Sequence, residues 1–119
     1  MDNALENRRI IAVVPAYNER DNIVSTIEDL RSNAPGVDYV IVNDGSKDDT
    51  LSICREHGYN VIDLPVNLGL AGAFQTGMRY AYEHGYDYAI QFDADGQHSA
   101  AYIAEMVYVA EEKGANIVI

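Results

Sequence analysis

Tyr88-Ala89-Ile90-Gln91-Phe92-Asp93-Ala94-Asp95-Gly96-Gln97 sets an apolar, β-rich run directly against a pair of carboxylates, and this junction decides the fold class. Aromatic and β-branched residues suit a pleated, buried strand. Asp93 and Asp95 stand at i and i+2 where the run ends. In open α/β sheets that edge of the strands is where ligands bind, and paired hard oxygens there suit Mg²⁺ or Mn²⁺. An isolated Asp-x-Asp can equally be a solvated turn with an aspartate capping a helix. Its meaning therefore rests on the rest of the chain.

Working outward, strand-like apolar runs recur at 9–14, 39–42, 60–64, 88–92 and 116–119. Helical periodicity fills the gaps: Ile23, Ile27 and Leu30; Phe74, Met78, Ala81 and Tyr82; Ile103, Met106, Val107 and Ala110. His57-Gly58, His84-Gly85 and Lys113-Gly114 each place a basic residue in a last helical turn before a glycine suited to a left-handed cap. His57 and His84 therefore read as helix-end residues, not ligands. Alternating strands and helices predict an α/β, Rossmann-like fold, a mostly parallel sheet with helices on both faces. The sequence stops inside the fifth run, which predicts a domain truncated after its fifth strand. Residues 1–119 read as one domain, with 1–8 as a flexible arm.

The net charge is −11 and the eight Lys and Arg are scattered, singly except for Arg8-Arg9, so the chain carries no nucleic-acid footprint and no polybasic lipid-binding arm. A chain this acidic can hold a pyrophosphate only by cancelling repulsion locally, through a divalent ion, helix N-termini or a few placed cations. The single cysteine, Cys54, falls in an expected helix and reads as a small buried residue. No leader opens the chain, and no apolar run approaches the roughly 20 residues that span a bilayer. The expectation is a cytoplasmic protein, with membrane association only through parts outside this sequence.

Two further strand ends carry marked loops, Pro15-Ala16-Tyr17-Asn18-Glu19 and Asn43-Asp44-Gly45-Ser46. With a strand order of 3-2-1-4, the loops after the first and fourth strands flank the crevice at the topological switch point. Glu19, Asp44, Asp93 and Asp95 would then surround one ligand. Tyr17 would offer an aromatic face, and Asp44 an acceptor for a base edge or a ribose hydroxyl. Each feature also has a purely structural reading. Asp44 to Thr50 can be a turn entering a capped helix, with Asp48 or Asp49 as the cap. Glu19 can favour a helix first turn, and Pro15 can end a strand. Asn67-Leu68-Gly69-Leu70-Ala71-Gly72 opens a helix and could approach a phosphate by its backbone, but it lacks the dinucleotide fingerprint. Tyr80, Tyr82, Tyr86 and Tyr88 read as packing residues.

Two other acidic motifs fail. A calcium loop starting at Asp93 needs glycine at its sixth position and a carboxylate at its twelfth, where His98 and Ala104 stand. A phosphatase of the haloacid-dehalogenase type uses the first Asp of Asp-x-Asp as nucleophile, but after the first strand and with Thr or Val closing the motif. Here Gln97 closes it after the fourth run.

Pro15-Ala16-Tyr17-Asn18-Glu19, Asn43-Asp44-Gly45-Ser46, Asn67-Leu68-Gly69 and Asp93-Ala94-Asp95-Gly96-Gln97-His98, in this order, resemble the family-2 glycosyltransferases of GT-A fold. The likeness runs from about Ile10 to the last residue. It is closest to the branch that resembles dolichol-phosphate mannose synthases and bacterial polyprenyl-phosphate glycosyltransferases. The resemblance implies a nucleotide-sugar-binding half. Pro15, Tyr17 and Glu19 would hold base and ribose, Val42 and Asp44 would complete the base pocket, and Asp93, Ala94 and Asp95 would lie along the donor. It also implies a divalent metal, Mg²⁺ or Mn²⁺, on Asp93, Asp95 and Gln97. The chemistry would be inverting transfer from a UDP- or GDP-sugar to an acceptor hydroxyl, a glycan or a polyprenyl phosphate. The catalytic base would lie beyond Ile119, so this chain is expected to bind nucleotide and to catalyse poorly. An exposed sheet edge predicts a homodimer.

Overall fold

The computed structural model describes residues 9–94 and 117–118. The expected arm at 1–8, the helical pattern around Ile103 to Ala110 and the Lys113-Gly114 helix end lie outside them, as do Asp95, Gln97 and His98. The elements run β1 (Ile10–Ala16), α1 (Ile23–Asn33), β2 (Asp38–Asp44), α2 (Thr50–Glu56), β3 (Val61–Leu64), α3 (Gly69–Glu83), β4 (Tyr88–Gln91) and β5 (Ile117–Val118). The sheet order is β3-β2-β1-β4-β5, and every strand pair is parallel. The chain thus crosses from one side of β1 to the other between β3 and β4, which makes β1/β4 the switch point.

The unbroken apolar run of β1 has a simple cause. Ile10, Ala12, Val14 and Ala16 pack with Ile23, Ile27 and Leu30 of α1 and with Cys54 of α2. Ile11 and Val13 face the other way, onto Ala73, Phe74 and Ala81 of α3. A strand covered on both faces alternates between two cores, so no position on it is free to be polar. Burial pushes the Cys54 thiol up to about 11, which makes it an inert core residue.

Both β1 and β2 extend two residues past the apolar runs, so Pro15, Asn43 and Asp44 belong to strands and not to the following loops. Pro15 is tolerated in a central strand for a geometric reason. The β4 ladder on β1 ends with Phe92 N–H donating to the Val13 carbonyl. Two residues on, Pro15 has the same orientation as Val13, so the next bond of this register would run from its N–H to the Phe92 carbonyl; lacking that N–H, Pro15 ends the β4 ladder while β1 still pairs with β2.

Gly58 and Gly85 end α2 and α3 with φ of 69° and 75°. His57 Nδ1 donates to the Ile53 carbonyl and His84 Nδ1 to that of Tyr80, so both histidines are helix-end groups. One expected position is corrected. Tyr82 is 86% exposed and stands outside the buried stripe of α3, which is Ala73, Phe74, Gly77 and Ala81. Asp48, not Asp49, accepts the first-turn amide of α2, from Thr50 at 2.9 Å.

At the opposite edge of the sheet the Tyr86 hydroxyl donates to Asp38 Oδ2 at 2.6 Å. Desolvation, then that bond and the Asp38 charge, push Tyr86 up to about 12. A folded-state value above the unfolded one means that the stabilisation is complete below the ordinary tyrosine range and is lost as pH rises through the folded value. Thermal melts taken up to pH about 12 are expected to show a decline in this alkaline window that is smaller in Tyr86→Phe. An identical decline in both proteins would remove Tyr86 as its source.

Candidate functional site

A cleft of about 350 Å³ opens at the switch point, lined by Pro15, Ala16, Tyr17, Glu19, Asp44, Asn67, Gly69, Leu70, Asp93 and Ala94. The loops after β1, β3 and β4 and the last residue of β2 all reach it, as the C-terminal edge of a doubly wound sheet requires.

Side chains tie these loops together. Asn18 adopts a left-handed conformation, φ 54°, which asparagine tolerates better than most residues. Its N–H donates to Ser46 Oγ at 2.9 Å, and its Oδ1 accepts from Lys47 N–H at 2.8 Å. Glu19 N–H donates to Thr50 Oγ1, and Arg20 N–H donates to Asp48 Oδ2. Burial disfavours the Asp48 carboxylate, but hydrogen bonds from the Thr50 hydroxyl and amide and the Arg20 amide, with the Arg20 charge, outweigh it. They hold the carboxyl below its ordinary range. The loops after β1 and β2 are thus one cross-linked unit.

Asp44 joins the third loop to them. Its Oδ1 accepts from Leu68 N–H at 2.6 Å, and its carbonyl accepts from Asn67 Nδ2 at 3.2 Å. Asn67 Oδ1 in turn accepts from Gly69 N–H. Gly45, at φ 69°, passes so close that a Cβ there would lie 2.6 Å from the Asn67 nitrogen. At the fourth loop Gln91 Nε2 donates to Asp93 Oδ1 at 2.9 Å. The Thr26 hydroxyl, from α1, donates to the Ala94 carbonyl at 3.2 Å.

Pro15, Tyr17, Glu19, Asp44, Asp93 and Ala94 therefore share one cleft. Tyr17 is 42% exposed at its mouth, and Asp44 is only 4% exposed. Val42 is fully buried on the α3 face of the sheet and is not on the cleft wall. Its alternation with Asp44 along β2 points both toward α3, but Val42 sits one turn of the pleat deeper, inside the core. Asn43 faces the opposite side, donates to Asp63 Oδ1 and leaves its own Oδ1 without a partner among the described residues. Asn18, Thr26, Thr50 and Asn67 were not marked as positioning groups by the sequence, because a polar residue in a loop or helix carries no periodic signal.

The charged groups on the cleft wall are Glu19, Asp44 and Asp93, with no Lys, Arg or His among the described lining. Among the described residues no three His, Cys, Asp or Glu side chains are grouped to hold a metal ion. The donor set is nevertheless all oxygen, which fits a hard divalent cation and disfavours a soft one. An anionic phosphate ligand entering this acidic cleft needs its charge offset locally, for which such a cation and a helix N-terminus are both suited.

A model of the family described as Glycosyl transferase family 2 matches residues 11–119. The chain belongs to that family. This family-2 glycosyltransferase chain is 34% identical over 120 residues to the UDP-N-acetylglucosamine–dolichyl-phosphate N-acetylglucosaminyltransferase of Methanococcus voltae, across 87% of this chain and 47% of that protein. It is 33% identical over 95 residues to the undecaprenyl-phosphate mannosyltransferase of Micrococcus luteus, across 76% of this chain and 39% of that one. The chain therefore spans about half or less of the length of these curated relatives. Among solved structures, the mannosyltransferase PcManGT from Pyrobaculum calidifontis, in complex with GDP-Man and Mn²⁺, superposes with a TM-score of 0.74 at 23% identity. That match covers 87% of this chain and 32% of PcManGT. TarS 1-349 of S. aureus in complex with UDP gives 0.70 at 20% identity, over 87% and 32%. These neighbours establish the GT-A, Rossmann-like fold. No helix among the described residues is long and apolar enough to cross a membrane.

Proposed function

We propose that this chain forms the donor-binding part of an inverting, metal-dependent glycosyltransferase that uses a UDP- or GDP-sugar and delivers the sugar to a polyprenyl phosphate. The observation that carries the reading is the convergence of Pro15, Tyr17, Glu19, Asp44 and Asp93 on one cleft at the β1/β4 switch point of a family-2 chain. The two curated relatives, named for dolichyl phosphate and undecaprenyl phosphate, favour the lipid-linked acceptor over a glycan.

In this reading Tyr17 stacks on the base, Asp44 accepts a base N–H or a ribose hydroxyl, and Glu19 holds the ribose. Asp93, Asp95 and Gln97 would hold a divalent ion, Mg²⁺ or Mn²⁺. When bound, it would supply Lewis-acid neutralisation of the departing diphosphate. Gly69 and Leu70 bring the N-terminus of α3 to the cleft wall, and α3 carries no acidic residue in its first turn. That arrangement suits the approach of an anion. Because the chain spans half or less of these relatives' length, it is expected by itself to bind donor and to transfer sugar poorly.

Titration calorimetry with UDP and with GDP, each with and without Mn²⁺, tests the proposal, with Asp95→Ala as the control. Metal-dependent binding of one nucleotide, lost in the control, is the expected result and names the base. A folded chain that binds neither nucleotide under any condition would sink the donor-site reading.

A further inference from the structure

We propose that Thr26 is a positioning residue that fixes the Asp93-Ala94 backbone at the end of β4 for metal-dependent binding of the donor diphosphate, an inference that rests on the donor-site reading above. A threonine hydroxyl has one proton. Within a helix it ordinarily goes to a carbonyl three or four residues back. In α1 the Asn22 carbonyl already accepts the Thr26 amide at 2.9 Å and the Ser25 hydroxyl at 3.0 Å. The Thr26 hydroxyl instead reaches across 68 residues to the Ala94 carbonyl, the middle residue of the Asp-x-Asp motif.

Both ends of this bond are dry. Thr26 is 3% exposed and Ala94 is 2% exposed, with the Ala94 methyl packed into the same core as Ile23 and Ile27. No other described side chain donates to that carbonyl. Since a peptide unit is planar, holding the carbonyl oxygen holds the plane of the bond that leads onward from Ala94. Phe92 N–H on the Val13 carbonyl and Gln91 Nε2 on Asp93 Oδ1 fix this backbone from its other side. The strand thus sets where the first carboxylate begins, and α1 sets how the chain leaves it. Thr26 is not on the cleft wall, so its effect passes through the backbone it holds.

Thr26→Val keeps shape and burial and deletes the proton, whereas Thr26→Ser keeps the hydroxyl. Calorimetry of both variants and the unmodified chain, with UDP and GDP and with and without Mn²⁺, separates the two effects. Thr26→Val is expected to bind nucleotide alone as the unmodified chain does. Its gain from metal should fall about 10- to 100-fold, the usual consequence of losing a group that orients a metal ligand, and Thr26→Ser should restore it. An undiminished metal gain in Thr26→Val overturns the inference. So does an equal loss with and without metal that Thr26→Ser does not repair, which would make Thr26 a packing residue. An unmodified chain that binds neither nucleotide removes the donor-site reading itself, and that failure is visible before any substitution is made.

Discussion

Gly77→Ala is expected to destabilise the protein by about 3 kcal/mol, the upper end for overpacking a filled core, and to lower the melting temperature by roughly 10 °C. Gly77 lies in the buried stripe of α3, directly over β1. A Cβ there would lie 2.9 Å from Val13 Cγ2 and 3.1 Å from Val13 Cβ, and closer still to Cγ1. Val13 cannot yield. It is fully buried, and a β-branched residue has few alternative rotamers. The helix itself must move away from the sheet. Because α3 begins at the cleft with Gly69 and Leu70, a shift at Gly77 is transmitted to the site. Removing the obstructing methyls provides the check. Gly77→Ala combined with Val13→Ala should be little less stable than Val13→Ala alone, a coupling that a double-mutant cycle measures directly. Additive losses in that cycle would place the strain elsewhere.

This contact also marks what the sequence could and could not say. The parallel sheet and the helix ends at Gly58 and Gly85 were legible, because each leaves a periodic or positional trace: apolar runs, intervening stripes, a histidine before a glycine; the strand order entered only as a condition, which the sheet fulfils. Gly77 leaves none. With no side chain it adds nothing to a hydrophobic pattern, yet it is where helix meets strand. The stripe was accordingly placed one residue off at Tyr82, whose position about 100° around the helix from Ala81 turns it to solvent. The extension of β1 through Pro15 was hidden for a different reason. A proline reads as a strand end unless one knows that the neighbouring ladder stops at Val13. At the cleft, Tyr17, Glu19, Asp44 and Asp93 stood out because aromatic and acidic groups at strand ends are conspicuous. Thr26 and Thr50 did not, and Asn18 and Asn67 were marked only as parts of motifs, since the partners that make them positioning groups are brought to them by the folded chain. Val42 was placed in the pocket by resemblance alone, and alternation along β2 buries it beneath the cleft.

Asp44 is where structure and recognition are hardest to separate, and two substitutions divide them. One oxygen of this nearly buried carboxylate accepts from Leu68 N–H and so shapes the loop that opens α3. The other has no described partner and belongs to a side chain on the cleft wall. In Asp44→Asn the amide oxygen can keep the Leu68 bond while the amide nitrogen takes the second place, turning an acceptor into a donor. Uracil and guanine both present N–H donors on the edge that a carboxylate reads, so the reversed polarity opposes either base. The expected result is a near-normal melting temperature with nucleotide affinity reduced about 10- to 100-fold, the worth of one hydrogen bond to a charged group. Asp44→Ala removes both functions. It should lose at least as much affinity and, by leaving the Leu68 N–H unsatisfied, also cost about 1–3 kcal/mol of stability. Nucleotide calorimetry and thermal melts of the two variants give the answer together. Undiminished affinity in Asp44→Asn would confine Asp44 to holding the loop and leave nucleotide recognition to Tyr17 on the base and Glu19 on the ribose. A loss confined to affinity in Asp44→Asn, joined by a loss of stability only in Asp44→Ala, is what a residue with one oxygen in the fold and the other in the cleft must produce.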